Sequence, residues 1–201
     1  MAQFGLLARL GLYLHPGFLE GSLCGQWTAE LASEPGDRAE VYAPKGLEVA
    51  PAVRNAAEHQ ASQSLRSAID ARLASVRPAV ADHFKLALSA PEPASYLTYG
   101  PGQFYRPHAD RGRAGEGDAQ GRVVSVVIFL NDAHGPAELS FDGGQLIFYD
   151  LIAEPRWKGV GLPLEPEAGL LVAFRSETVH EVAPVTRGTR AVIVTWFHAA
   201  D

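Results

Sequence analysis

The chain has 201 residues, 47% of them hydrophobic, which is enough apolar material for one sizeable core. A net charge of -6 argues against a nucleic-acid-binding surface, and the single cysteine, Cys24, excludes an internal disulfide and fits a reducing compartment. The first ten residues lack the basic region of a secretory signal, and the apolar strand-like runs are too short to cross a bilayer. We therefore expect a cytoplasmic protein with neither nucleic-acid nor membrane partners.

The first half of the chain carries mainly helical patterns. Residues 4–13 are apolar with strand-like character, and residues 37–50 are ambiguous. Between them, apolar residues recur every fourth position at Leu23, Trp27 and Leu31, which predicts an amphipathic helix. A longer helical pattern follows from Pro51, with apolar residues three or four apart at Leu65, Ile69, Leu73, Val76, Val80, Phe84 and Leu88. Pro78 lies inside this pattern, so we expect either one kinked helix or two helices.

The second half reads as a series of short strands separated by turns rich in Gly, Pro and Asp. The predicted strands are residues 95–99, 104–110, 123–130, 145–149, 170–174, 179–184 and 190–198. Helices followed by strands indicate an α+β, mostly β fold in which helices back a sandwich or barrel. We find neither repeats nor a linker, so we expect one domain over residues 1–201, with helical support in 1–94 and a β-rich core in 95–201.

A candidate metal site begins with His108 and Asp110. On an extended strand, residues two apart point to the same face, so this imidazole and this carboxylate would lie side by side. His180, in a later apolar strand, is a candidate third ligand. Two His and one carboxylate on one face are the ligand set of non-haem Fe(II) oxygenases.

Arg190 is the second unusual residue, because it opens the apolar run that leads to Trp196. Burying an arginine is unfavourable unless it meets an anion, and its planar fork suits a carboxylate held by two hydrogen bonds. An iron triad and a carboxylate-binding arginine together predict a site for iron and a dicarboxylate cosubstrate.

Four segments, residues 99–110, 122–131, 143–148 and 180–196, carry a resemblance to a known family. In this order and at these intervals they resemble the 2-oxoglutarate/Fe(II)-dependent dioxygenases of the prolyl 4-hydroxylase type, over roughly the C-terminal half of the chain. The resemblance implies a double-stranded β-helix, or jelly roll, buttressed by helices. The strand pattern alone does not distinguish this fold from other sandwiches.

The resemblance also implies a chemistry. Its cofactors would be Fe(II) and the cosubstrate 2-oxoglutarate, with ascorbate as a further candidate, and dioxygen would be consumed as a C–H bond is hydroxylated. The leading substrate is a prolyl residue in a peptide or protein. One alternative is a hydroxylase of free amino acids or other small molecules. Others are a catalytically inactive jelly-roll binding module and a cupin-like hydrolytic or isomerising metalloenzyme.

Residue roles can be transferred where positions match the family pattern. His108, Asp110 and His180 would bind iron, Arg190 would bind the distal carboxylate of 2-oxoglutarate, and Tyr99 would approach the same cosubstrate. Leu146, Val182 and Trp196 match apolar pocket walls, although for Leu146 and Trp196 ordinary core packing explains the sequence equally well. Tyr105 either faces the substrate or simply packs.

One position departs from the pattern. Oxygen-sensing prolyl hydroxylases of animals place a tyrosine hydroxyl beside the arginine, whereas the matching residue here is Phe129. Ser125 has the same parity on that strand, so we expect it to supply the missing hydroxyl to the cosubstrate. The Gly-rich, charged residues 111–121 directly follow Asp110 and would form either a lid over the site or a plain connector.

Overall fold

The computed structural model describes residues 2–200 except 34, 44, 45, 113–116, 135, 137 and 138. The first half contains, in chain order, α1 (Ala2–Arg9), β1 (Tyr13–His15), α2 (Gly21–Ala32), β2 (Asp37–Arg38), β3 (Val41–Ala43), β4 (Gly46–Glu48), β5 (Arg54–Asn55), β6 (Ala57–His59) and α3 (Gln63–Phe84). The second half contains β7 (Leu88–Pro91), β8 (Ser95–Tyr99), β9 (Phe104–His108), β10 (Arg122–Phe129), β11 (Asp132–Ala133), β12 (Ser140–Gly143), β13 (Leu146–Phe148), β14 (Leu162–Leu164), β15 (Leu171–Arg175), β16 (His180–Val182), β17 (Val185–Gly188) and β18 (Arg190–Ala199). Two short 3-10 helices, Gly117–Gly121 and Pro155–Trp157, lie in connections.

Two antiparallel sheets form the β-rich part of the molecule. The major sheet has the order β1-β15-β10-β18-β8-β6-β2, with β7 also paired to β18. The minor sheet has the order β14-β13-β16-β9-β5, and side chains from both sheets share one hydrophobic cluster. A three-stranded sheet, β11-β12-β17, and the β3–β4 hairpin complete the strands.

The central strand β10 shows how the layers are built. Val124, Val126 and Ile128 pack on the cluster formed with the helices, whereas Val127 and Phe129 pack between the two sheets. This alternation follows from the two-residue period of a strand. A strand buried on both faces therefore reads as an almost continuous apolar run.

Helix α3 backs the major sheet through one apolar stripe. Its first turn is capped by Ser62, whose Oγ accepts a hydrogen bond from the backbone N–H of Leu65 at 3.2 Å. It ends at Lys85, which has left-handed backbone angles, and it continues through Pro78 as one helix. The fully buried side chains of the stripe each contribute about 1.5–3 kcal/mol by leaving water; they are Leu65, Ile69, Leu73 and Val80.

Two predictions about the first half are wrong. Residues 4–13 were expected to be a strand, but residues 2–9 form α1 because burial there recurs every third residue, with Leu7 buried and Leu6 44% exposed. The helical pattern expected from Pro51 begins only at Gln63, since residues 54–59 form β5 and β6. These two strands extend the sheets by pairing with β9 and β8, a tertiary contact that local pattern cannot reveal.

The predicted strands of the second half are confirmed, each within two residues of its expected ends. Strands β7, β11, β12, β14 and β17, each two to four residues long, were not predicted. Leu88, which was expected to continue the helical pattern, lies on β7. No helix in the described part of the chain is long and apolar enough to cross a membrane.

Candidate active site

Strand pairing brings the predicted metal ligands together. His108, on β9, and His180, on β16, are register partners across the minor sheet, with ring centroids 4.2 Å apart. Strand β9 ends at His108, yet Asp110 still turns its carboxylate toward both rings. Its Oδ1 lies 3.5 Å from Nε2 of His108, and its Oδ2 lies 3.6 Å from Nε2 of His180. One ligand atom from each residue lies within 4.8 Å of the others, a spacing that can hold a metal ion.

Backbone carbonyls fix the tautomers of the two histidines. Nδ1 of His108 lies 2.8 Å from the carbonyl oxygen of Arg106, and Nδ1 of His180 lies 3.0 Å from that of Thr178. A carbonyl can only accept, so each Nδ1 must carry the proton and donate. The lone pair of each Nε2 then faces Asp110, which is the arrangement that outer hydrogen bonds impose on metal-binding imidazoles.

Burial sets the charge state of this cluster. Burial lowers the pKa of His180 to about 4; neighbouring His108 lowers it further, and Asp110 opposes the shift. Burial alone would raise the pKa of Asp110, but His180, His108 and a hydrogen bond from Ser125 hold that pKa well below its usual range. At neutral pH the site therefore presents a carboxylate and uncharged His180, a donor set suited to Fe(II).

Arg190 is a buried cation that has no anionic partner among the residues that the structure describes. It is the first residue of β18, pairs with Tyr99 of β8 and is 2% exposed. The Cζ atom of its guanidinium lies 5.1 Å from the ring centroids of both Tyr99 and Phe129. That guanidinium donates no hydrogen bond to any residue that the structure describes, and its Nε is fully buried. Burial lowers its pKa to about 10, which leaves it protonated at neutral pH.

One cavity of about 310 Å³ contains both features, since His108, Asp110, His180 and Arg190 all line it. The expected wall residues also line it: Tyr99, Tyr105, Leu146, Val182 and Trp196. An open three-ligand cluster and an unpaired arginine in one cavity fit a metal ion together with a carboxylate-bearing ligand.

A family model described as the 2OG-Fe(II) oxygenase superfamily matches residues 94–198. The chain belongs to this superfamily. The predicted resemblance to 2-oxoglutarate/Fe(II)-dependent dioxygenases is confirmed at the level of the superfamily, which implies Fe(II) and 2-oxoglutarate as cofactors.

Relatives and solved structures agree with this assignment. A PKHD-type hydroxylase of Picosynechococcus is 30% identical over 179 residues, covering 89% of this chain and 66% of the relative. Another, of Hyphomonas neptunium, is 37% identical over 102 residues, or 50% of this chain and 40% of the relative. The chain thus spans less than two thirds of the length of these relatives.

Among solved structures, a Pseudomonas putida prolyl-4-hydroxylase is 29% identical with a TM-score of 0.70, covering 100% of this chain and 98% of that one. A Trichoplax adhaerens prolyl hydroxylase, in complex with a peptide fragment of the hypoxia inducible factor oxygen degradation domain, has the same TM-score at 19% identity. The match covers 97% of this chain and 86% of the Trichoplax chain, and at this identity it shows the fold alone. The expected jelly roll is confirmed.

Ser125 is buried beside Ser176 and does not line the oxygenase cavity. Its Oγ is 3.0 Å from Oγ of Ser176, both hydroxyls are fully buried, and Ser125 contributes to the lowered pKa of Asp110. Parity on β10 correctly predicted its face, but Ser125 and Phe129 are about 13 Å apart along the strand. This distance separates Ser125 from the position beside Arg190, and a role for its hydroxyl in cosubstrate binding stays a prediction.

Sequence reasoning missed a second polar group in the oxygenase cavity. Arg122 donates to both oxygens of Glu92, at 2.8 and 2.7 Å, and its Cζ lies 3.5 Å from the ring centroid of Trp196. Nε2 of His198 lies 2.7 Å from Oε1 of Glu92. Arg54 faces Tyr105, with its Cζ 4.9 Å from that ring centroid. Arg122 opens an apolar strand just as Arg190 does, and that signal could have identified it.

Proposed function

We propose that this oxygenase hydroxylates a C–H bond with Fe(II) bound by His108, Asp110 and His180 and with 2-oxoglutarate bound by Arg190. The unpaired, buried guanidinium of Arg190 in the same cavity as the His-Asp-His cluster carries the proposal. A buried cation is unfavourable unless an anion meets it, and the distal carboxylate of 2-oxoglutarate would supply that anion.

When bound, Fe(II) and 2-oxoglutarate supply the chemistry by which dioxygen and the keto acid convert a C–H bond to C–OH with release of succinate and carbon dioxide. The residues of the chain hold and orient these groups. Tyr99 and Phe129 form the apolar sides of the Arg190 pocket and keep water from the ion pair. Ser125 holds the Asp110 carboxylate.

We further propose a peptidyl prolyl residue as the substrate. Support comes from the likeness to the prolyl-4-hydroxylase of P. putida, which extends over the whole chain. Further support comes from the cavity wall, which includes Tyr105 and Trp196. The indole Nε1–H of Trp196 is buried without an acceptor among the described residues. This group can donate a hydrogen bond to a bound amide. Residues 113–116 lie outside the described part of the chain, so the choice between lid and connector for 111–121 stays a prediction.

The first experiment tests the chemistry. The purified protein is incubated with Fe(II), 2-oxoglutarate and dioxygen, with and without ascorbate, and succinate is measured. Succinate formed without added substrate would support an active oxygenase, whereas 2-oxoglutarate binding without succinate under every condition would favour the inactive binding module.

The second experiment tests the substrate. A panel of proline-containing peptides and free L-proline is assayed for gain of one oxygen by mass spectrometry and for stimulated succinate release. Peptide hydroxylation supports the proposal. Hydroxylation of free proline alone would replace it with the small-molecule alternative and leave the oxygenase assignment intact.

A further inference from the structure

Asn131 contacts the backbone on both sides of Arg190. It follows the end of β10, is 7% exposed, and does not line the cavity. Its Nδ2 donates to the carbonyl oxygen of Thr189 at 2.7 Å, and its Oδ1 accepts from the backbone N–H of Ala191 at 3.0 Å. One carboxamide thus bonds the two residues that flank Arg190.

These bonds continue a sheet ladder that the backbone can no longer provide. The register of β10 on β18 ends with Phe129 opposite Val192, and the backbone N–H of Leu130 makes one more bond, to the carbonyl oxygen of Ala191. Beyond it, the Asn131 side chain takes the place of the next backbone partner. The start of β18 is therefore fixed by β8 on one side and by Asn131 on the other.

The backbone anchor matters because no hydrogen bond to a described residue fixes the Arg190 guanidinium. Its guanidinium lies between aromatic faces and donates no hydrogen bond within the described residues. Its stem passes close to Gly144, where an added Cβ would meet Arg190 Cδ at 3.1 Å. A small shift of the Arg190 backbone would thus move the guanidinium relative to the cavity without breaking any bond of its own.

We propose that Asn131 is a positioning residue that sets Arg190 for the distal carboxylate of the cosubstrate. This inference rests on the proposed function, because it gives Asn131 a role only through the carboxylate that Arg190 binds. A purely stabilising role for the two buried hydrogen bonds would not predict this. A positioning role predicts that affinity falls only for ligands that reach Arg190.

The test compares two keto acids binding to the Mn(II)-loaded protein by calorimetry. 2-Oxoglutarate carries the distal carboxylate, and 2-oxobutyrate lacks it. Asn131→Ala should bind 2-oxoglutarate about 3- to 10-fold more weakly, because it loses the two hydrogen bonds that position Arg190. Its affinities for 2-oxobutyrate and for Mn(II) itself should match the wild type.

A double-mutant cycle with Arg190→Met separates positioning from stability. Once the guanidinium is gone, Asn131→Ala should cause no further loss of 2-oxoglutarate affinity. The matched control is Ser140→Ala, which removes a buried hydroxyl bonded to the carbonyl oxygen of Pro136 outside the cavity. It should leave both keto-acid affinities unchanged.

Three results would overturn the inference: equal weakening of both keto acids, additivity with Arg190→Met, or full affinity in Asn131→Ala. If Asn131→Ala does not fold, Asn131→Ser is measured instead, because its shorter uncharged side chain cannot bond both Thr189 and Ala191, and the same outcomes apply to it. The proposed function fails by a different result, namely Arg190→Met binding 2-oxoglutarate as tightly as the wild type.

Discussion

Replacing Arg190 by methionine should have two opposite effects. Methionine keeps much of the stem volume and removes the charge. Burial lowers the pKa of this guanidinium from its usual value to about 10, and a shift of that size corresponds to roughly 3 kcal/mol disfavouring the charged form in the ligand-free protein. Arg190→Met should therefore raise the unfolding temperature of the ligand-free protein.

The same substitution should weaken 2-oxoglutarate binding. A charge-assisted hydrogen bond contributes about 1.5–3 kcal/mol, so losing the Arg190 contact should raise Kd about 10- to 150-fold or more. Isothermal titration with the Mn(II)-loaded protein measures this change, and thermal unfolding with and without 2-oxoglutarate should show that most of the ligand-induced stabilisation is gone.

Arg187→Met is the matched control. Arg187 pairs with Asp142 on β12, is far more exposed and does not line the cavity, so its loss should leave 2-oxoglutarate affinity unchanged. Equal losses in the two variants would show that the cosubstrate is bound elsewhere. An Arg190→Met protein that is less stable without ligand would refute the argument that its charge is unfavourably buried.

Three further outcomes are expected. Asp110→Ala, like His108→Ala and His180→Ala, should abolish succinate release while circular dichroism shows a retained fold; near-normal turnover in Asp110→Ala would exclude the triad. Ser125→Ala should weaken Mn(II) binding about 10-fold or more, as loss of an outer hydrogen bond to a ligand does, whereas Ser140→Ala should not. The metal-free protein should lose unfolding free energy as pH falls from about 6.5 to about 4, because unfolded His180 binds a proton more readily than folded His180; a flat urea-unfolding profile over this range would contradict the buried, neutral imidazole.

The sequence predicted the strands of the β-rich core because they carry their own signal, whereas the jelly roll itself followed from the family resemblance. β10 is apolar on both faces, and the polar residues of the site, His108 and Arg190, stand out against apolar strands. Strand parity placed Ser125 on the inner face, but it could not say that its hydroxyl lies beside that of Ser176. That position depends on strand register and on the turn that carries Ser176, and both are set by tertiary pairing.

The first half was harder to predict for a physical reason. In α1 apolar residues lie on more than one face, so the helical period is hidden by residues such as Leu6 that remain exposed. β5 and β6 are two or three residues long and exist only because β9 and β8 offer them partners. Arg54 reaches the cavity through such a pairing, and no local pattern marks it.

The opposition of His108 and His180 on neighbouring strands also has a mechanical consequence. These residues are far apart in the chain and adjacent in the minor sheet, so an ion that binds both closes a long loop in the way a disulfide does. Cross-links of this kind reduce the entropy of the unfolded chain by the equivalent of about 4 kcal/mol for a loop of this length. The ion would thus act as a reversible cross-link between β9 and β16. Chelation should destabilise the sheet edge that carries β5 before it affects the helices behind the major sheet.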